Sequence, residues 1–221
     1  MKKINLFFLF FLSIISVVFA QATDPKGLCL ETGGKWYSME DCSPCPQGAV
    51  CEACFVGCQC ASDSIWLDAK GCVNYDDLIT QASSVNFRGI MPPQEELDAA
   101  NQAMEALKTQ KEKVTGWIIR SLEQQRSPQA LSMNHPWGIM SYGVVLCGFG
   151  IESVLKLEPQ VLESSDEEVR LNGVWILNEA SWRLRESRQE IESLLQKMLK
   201  QDKSERVRQE ITRILTERGW K

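Results

Sequence analysis

A mainly α-helical chain, with a small disulfide-rich N-terminal module followed by an α-helical repeat domain, is what this sequence predicts. Three observations carry that prediction. Eight of the nine cysteines lie in one short stretch: Cys29, Cys42, Cys45, Cys51, Cys54, Cys58, Cys60 and Cys72. Behind Cys72 the composition changes, and charged residues alternate with apolar ones at helical spacing. In the last third, a pattern of apolar and basic residues recurs at a separation of 38. The chain accordingly divides into a leader at 1–20, the cysteine module at 21–73, a linker at 74–92 and the helical repeat domain at 93–221.

The leader has the three parts of an export signal. Lys2 and Lys3 form a positive end, Asn5 to Phe19 is almost wholly apolar, and Val18 and Ala20 are the small residues that precede a cleavage site. The apolar run falls short of the roughly 18 to 20 residues that span a bilayer, so the segment reads as cleavable rather than as an anchor. The expected location is the periplasm or the exterior of the cell, and the mature chain is expected not to be membrane-embedded. The net charge of −5 is spread along the sequence. Phosphate backbones need a concentrated basic face, so nucleic acid is excluded as an expected partner.

Between Leu28 and Val73 there is little periodicity and too little apolar content for an ordinary core. Crosslinks worth about 2 to 4 kcal/mol each would supply the stability. The pairs Cys42/Cys45 and Cys51/Cys54 have the spacing of a zinc site, and Cys42-Ser-Pro-Cys45 has that of a redox motif. In an exported chain, with no strand–helix context around the second motif, structural disulfides are the expected state of all eight cysteines. The connectivity stays open, and no cofactor or metal is expected.

The run CPQGAVCEACFVGCQCASDSIWLDAKGCV, Cys45 to Val73, resembles the second half of a trypsin-inhibitor-like domain. Cys51, Cys54, Cys58, Cys60 and Cys72 match that family's cysteine run, with Gly57 and Gly71 at positions where it often has glycine. The family usually has ten cysteines and a slightly longer loop. The resemblance implies a protease-contacting loop at Pro46, Gln47, Gly48, Ala49 and Val50. Flanking crosslinks would hold such a loop ready for a protease cleft. With Ala49 or Val50 in the specificity pocket, an elastase-like enzyme would be the target. A stapled module with no protease target is the competing reading.

The helical part opens after Pro92-Pro93, with Glu95, Glu96 and Asp98 near the positive end of the first helix. Leu97, Met104 and Ile118 form one apolar series, interrupted by Lys111, and Ala100, Leu107 and Val114 form another. This suits a short antiparallel helix contact better than a long coiled coil, and Gly116 is the expected break between two helices. Val169-Arg170 superimposes on Val207-Arg208, with Leu177 and Leu215 eight positions later and a polar turn before each. Amphipathic segments, Ile151 to Leu162 and Ile191 to Leu199, precede those turns. A degenerate copy spans Thr115 to Phe149, with Ile139 at the valine position and Gly143 where Gly173 stands.

This pattern, with D-K-S-E-R-V-R at Asp202 to Arg208, resembles HEAT repeats. The resemblance implies helix pairs stacked into a solenoid that binds other proteins. Each pair buries its apolar face only against its neighbours, so both ends need caps. The cysteine module or the helix after Pro93 would cover one end, and a polar face with Arg208, Arg213, Glu217 and Arg218 the other.

Candidates for chemistry are sparse. His135, the only histidine, precedes Pro136-Trp137 and reads as a helix-entry residue. Cys147 stands in GVVLCGFG, an apolar setting that keeps a thiol protonated and inert. No catalytic residues are assigned, and the chain is expected not to be an enzyme. Among the tryptophans, Trp182 and Trp220 are the expected partner contacts. The sequence thus points to an exported protein that binds another protein through a helical-repeat surface. The alternative is a serine-protease inhibitor acting through the Cys45–Cys51 loop.

Overall fold

The structure, a computed structural model, describes residues 24–38, 57–68, 70–86, 92–124 and 137–220, with only the backbone of Trp137. It is mainly α-helical, with two small two-stranded sheets beside a disulfide-linked N-terminal region. The leader lies outside the described residues.

The N-terminal part is built around two crosslinks. Helix α1 (Pro25–Glu31) starts with proline in its first turn, and the Asp24 side chain accepts the Lys26 N–H at 3.1 Å. Strand β1 (Lys35–Tyr37) pairs antiparallel with β2 (Gly57–Gln59), and β3 (Ser64–Leu67) with β4 (Gly71–Asn74). Cys29–Cys58 ties α1 to β2, and Cys60–Cys72 ties the end of β2 to β4. A Cβ at residue 34 would collide with the sulfurs of Cys58, Cys29 and Cys72, so the two bridges close over Gly34. Thr32 adds a polar tie. Its hydroxyl donates to the Leu28 carbonyl at 2.7 Å and accepts the Cys72 N–H at 2.8 Å.

The expected linker at 74–92 is in large part a helix. α2 (Tyr75–Ser83) begins where β4 ends, with the Asn74 side chain accepting the Asp77 N–H at 2.8 Å, and a 3₁₀ turn (Ser84–Asn86) follows. Tyr75, Leu78, Ile79 and Ala82 form a stripe of little more than two turns, and all four are buried. So short a stripe is easily passed over in the sequence. Because α2 follows β4 directly, the module shares its core with the helices: Ile65 of β3 belongs to the same buried cluster.

α3 (Gln94–Lys108) starts behind Pro93, with Glu95 and Glu96 in its first turn, and α4 (Lys111–Glu123) follows. The break between them falls at Thr109–Gln110 rather than at Gly116, which lies inside α4. Burial of Val114, Ile118 and Leu122 along one face holds α4 continuous through the glycine. α5 (Trp137–Phe149) is buried over Ser141 to Cys147, as a helix apolar on all sides must be.

Two further helix pairs complete the array. α6 (Ile151–Leu155) continues into a π turn (Glu158–Leu162), so the expected Ile151–Leu162 helix is split just ahead of Pro159. α7 (Glu167–Arg183) packs against that turn and beside α5, and a 3₁₀ turn (Arg185–Ser187) leads on. α8 (Arg188–Gln201) and α9 (Glu205–Glu217) form the last pair. α2, α5, α7 and α9 pack in succession, while α4 packs on α5, α7 and the π turn, the π turn on α7, and α8 on α7 and α9. Gly173 marks a close approach, since a Cβ there would overlap Leu162 and Val161.

The 38-residue periodicity is visible atom by atom. Asp166 caps α7 by accepting the Glu168 N–H at 2.8 Å, and Ser204 caps α9 by accepting the Val207 N–H at 3.3 Å. Arg170 donates to the Ser164 carbonyl at 2.9 Å, and Arg208 to the equivalent Asp202 carbonyl at 2.7 Å. Val169 and Val207 are both buried, as are Leu177 and Leu215.

Candidate partner surface

The surface is assembled from the ends of α7 and α9. Trp182, on the last turn of α7, is 63% exposed, the most exposed large apolar side chain among the described residues. The Arg218 guanidinium carbon lies over its ring, 3.5 Å from the centroid. Arg218 also donates to the Asn178 carbonyl at 3.2 Å and to Asn178 Oδ1 at 2.7 Å. One face of the indole is therefore covered and held in place.

A second arginine–tryptophan stack adjoins the first. Arg188, at the start of α8, donates to the Arg218 carbonyl at 3.1 Å and lies 4.9 Å from the Trp220 ring centroid. Burial pulls the Arg218 pKa below the usual arginine range, and the positive charges of Arg188 and Arg213 act in the same direction against Glu217 and Glu179. No carboxylate among the described residues forms an ion pair with Arg185, Arg188 or Arg218. Arg170 pairs with Asp202, Arg206 with Glu167 and Glu168, Arg208 with Glu205, and Arg213 with Glu210 and Glu217. The end of the array thus combines arginines that form no carboxylate ion pair among the described residues with an exposed indole.

Trp220, expected at the surface with Trp182, is 7% exposed. Its ring joins the common core behind Arg188, where the chain turns back after α9: the Trp220 backbone N–H donates to the Leu215 carbonyl at 2.9 Å. Trp117 packs edge-on between Tyr75 and Tyr142, at 5.7 and 6.1 Å, and Trp175 reaches across to Glu210 at 3.2 Å. Sequence reasoning missed Arg188, and placed Arg218 on a polar capping face rather than on the Trp182 ring. The nearest signal was the Arg-Gly-Trp at the C-terminus, which names no partner for either side chain.

The joint between the last two helix pairs is also polar. Arg170 donates to both oxygens of Asp202, at 2.7 and 3.0 Å, across the repeat boundary. Burial pushes the Asp202 pKa up, but hydrogen bonds from Arg170 and the Ser204 N–H, with the charges of Arg170 and Arg208, bring it below the usual aspartate range. A cavity of about 460 Å³ borders this pair. Its acids are already engaged, with Lys197 bridging Glu158 and Glu163.

Cys29, Cys58, Cys60 and Cys72 are disulfide-bonded, so the proximity of the Cys58, Cys60 and Cys72 sulfurs reflects two adjacent crosslinks. Cys42, Cys45, Cys51 and Cys54, the loop Pro46–Val50 and His135 lie outside the described residues. Cys147 is buried, and its thiol pKa is pushed up to about 12 by burial, with Glu179 adding to the shift and Arg183 opposing it. A thiol in that state is a poor nucleophile at neutral pH. Among the described residues, no helix is long and apolar enough to cross a membrane. No family model, no curated protein and no solved structure matches the chain.

Proposed function

We propose that this is an exported, non-catalytic protein-binding or scaffold protein, which uses its stacked helix pairs as the docking surface. The observation that carries this reading is the exposed Trp182, fixed beneath Arg218 at the edge of the array. Aromatic and arginine side chains of this kind are the usual anchors of protein interfaces. The resemblance to HEAT repeats supports the same reading, and so do the equivalent caps and arginine contacts one repeat apart. Disulfides fit an oxidising compartment and therefore an exported chain.

The test is parallel capture from an extracellular or envelope extract by the oxidised protein and by Trp182→Ala. A partner retained by the first and lost by the second, at equal thermal stability, is the expected result. The same proteins captured by both would remove Trp182 as the anchor.

A second reading is inhibition of a serine protease through Pro46–Val50. It draws on the cysteine run, and is favoured by the two crosslinks that fasten Cys58 and Cys60. Stoichiometric inhibition of an elastase-like enzyme, lost on replacing Ala49 and Val50, would establish it. Cleavage of the loop without inhibition would end it.

A further inference from the structure

We propose that the cleft between the disulfide-bonded module and α4 is a binding site for an acidic saccharide. This site is separate from the surface at Trp182 and does not depend on it. The cleft holds about 950 Å³, near the upper end of the roughly 300–1,000 Å³ typical of small-ligand sites. Trp36, Gln59 and Trp66 form the wall on the module side, and Lys113, Gly116 and Arg120 form the wall on α4. Tyr75 and Gln110 join the two, the tyrosine hydroxyl donating to Gln110 Oε1 at 3.0 Å.

Charge is the first argument. Lys113 and Arg120 make no ion pair among the described residues, although the chain carries a net charge of −5. Glu112, the carboxylate in that wall, is already bound to Lys156. The cleft therefore presents two cations without an ion-pair partner among the described residues, one of them a guanidinium suited to a carboxylate.

Gly116 is the second. Glycine in a helix interior is destabilising relative to alanine, and packing within the described residues gives no reason for it here. A Cβ at residue 116 would have one neighbour within 4 Å, the Arg120 Nη1, at the ordinary contact distance of 3.5 Å. The bare backbone leaves a flat strip in the cleft, with the Arg120 guanidinium at its edge.

The aromatic wall is the third. Trp36 and Trp66 are half-buried, and the Trp66 N–H donates to Asp68 at 3.1 Å, which fixes its ring. Indoles offer large rigid apolar faces. A pyranose ring would stack its apolar face on them, give its hydroxyls to Gln59 and Ser62, and place its carboxylate on Arg120. An acidic peptide of glutamates supplies the carboxylate but lacks a ring that offers an apolar C–H face to these indoles and hydroxyls to Gln59 and Ser62.

The test is titration of the oxidised protein with tri-galacturonic acid, read by tryptophan fluorescence and calorimetry. Maltotriose and triglutamate serve as the neutral and peptidic controls. Saturable binding of tri-galacturonic acid is expected, with maltotriose weaker by about tenfold or more, the scale of one charge-assisted contact. Arg120→Gln, an exposed position, should bring the two sugars within about twofold of each other. Gly116→Ala should weaken tri-galacturonic acid by about fivefold or more while leaving the Tm unchanged or raised. No saturation at millimolar tri-galacturonic acid, or undiminished binding by both variants, would overturn the proposal. Triglutamate binding as well as the sugar would assign the cleft to acidic peptides and overturn it equally.

Discussion

Asp202 shows how much of the array depends on single polar groups. Its side chain is 3% exposed and, among the described residues, its one guanidinium ion pair is with Arg170, so removing either partner leaves a charge stranded at the joint. Asp202→Ala should cost about 3 kcal/mol in chemical denaturation, and Arg170→Met/Asp202→Leu should cost less than either single change. The folded-state pKa of Asp202 lies below its unfolded value. Its contribution is therefore complete above the unfolded pKa, and is lost as pH falls from about 4 through the folded value. The acid limb of a stability profile should flatten in Asp202→Asn, and an unchanged limb would contradict this account. Cys147, with its pKa near 12, should resist alkylation at pH 8 until the protein unfolds. Labelling as fast in native protein as in urea would show that the thiol is not buried.

At the level of elements, legibility followed the strength of local signals. α7 and α9 were readable because each combines a capping residue, a polar turn and a long apolar stripe with Val169 or Val207 near its start. α2 was not, because its stripe covers little more than two turns and its stability comes from packing on α3 and α5. The break at Thr109–Gln110 was misplaced to Gly116 for a related reason. Glycine signals flexibility locally, but the buried face of α4 overrides it. Gly173 is a different kind of glycine, since Leu162 and Val161 leave no room for a side chain. Gly173→Ala should cost about 1 to 3 kcal/mol in thermal or urea unfolding. An unchanged midpoint would mean that α7 and the π turn are less tightly packed than the structure shows.

For the whole molecule, the module and the helices are continuous, because β4 runs into α2 and Ile65 enters the helical core. That continuity depends on contacts between distant residues, and periodicity could not foretell it. The same holds for the Trp182–Arg218 stack, whose partners are 36 positions apart in sequence and meet only once α9 lies beside α7. At the polar end, Arg213 pairs with Glu210 and Glu217, while Arg218, grouped with them in the sequence, lies on the Trp182 ring. This end of the array is proposed to dock another protein. Calorimetric titration of the captured partner into wild type and into Trp182→Ala tests that claim most directly. Trp182→Ala should lose about 2 kcal/mol of affinity, a drop of roughly thirtyfold, with the fold unchanged. Equal affinity for the two proteins would contradict it, and would place the docking surface elsewhere on the chain.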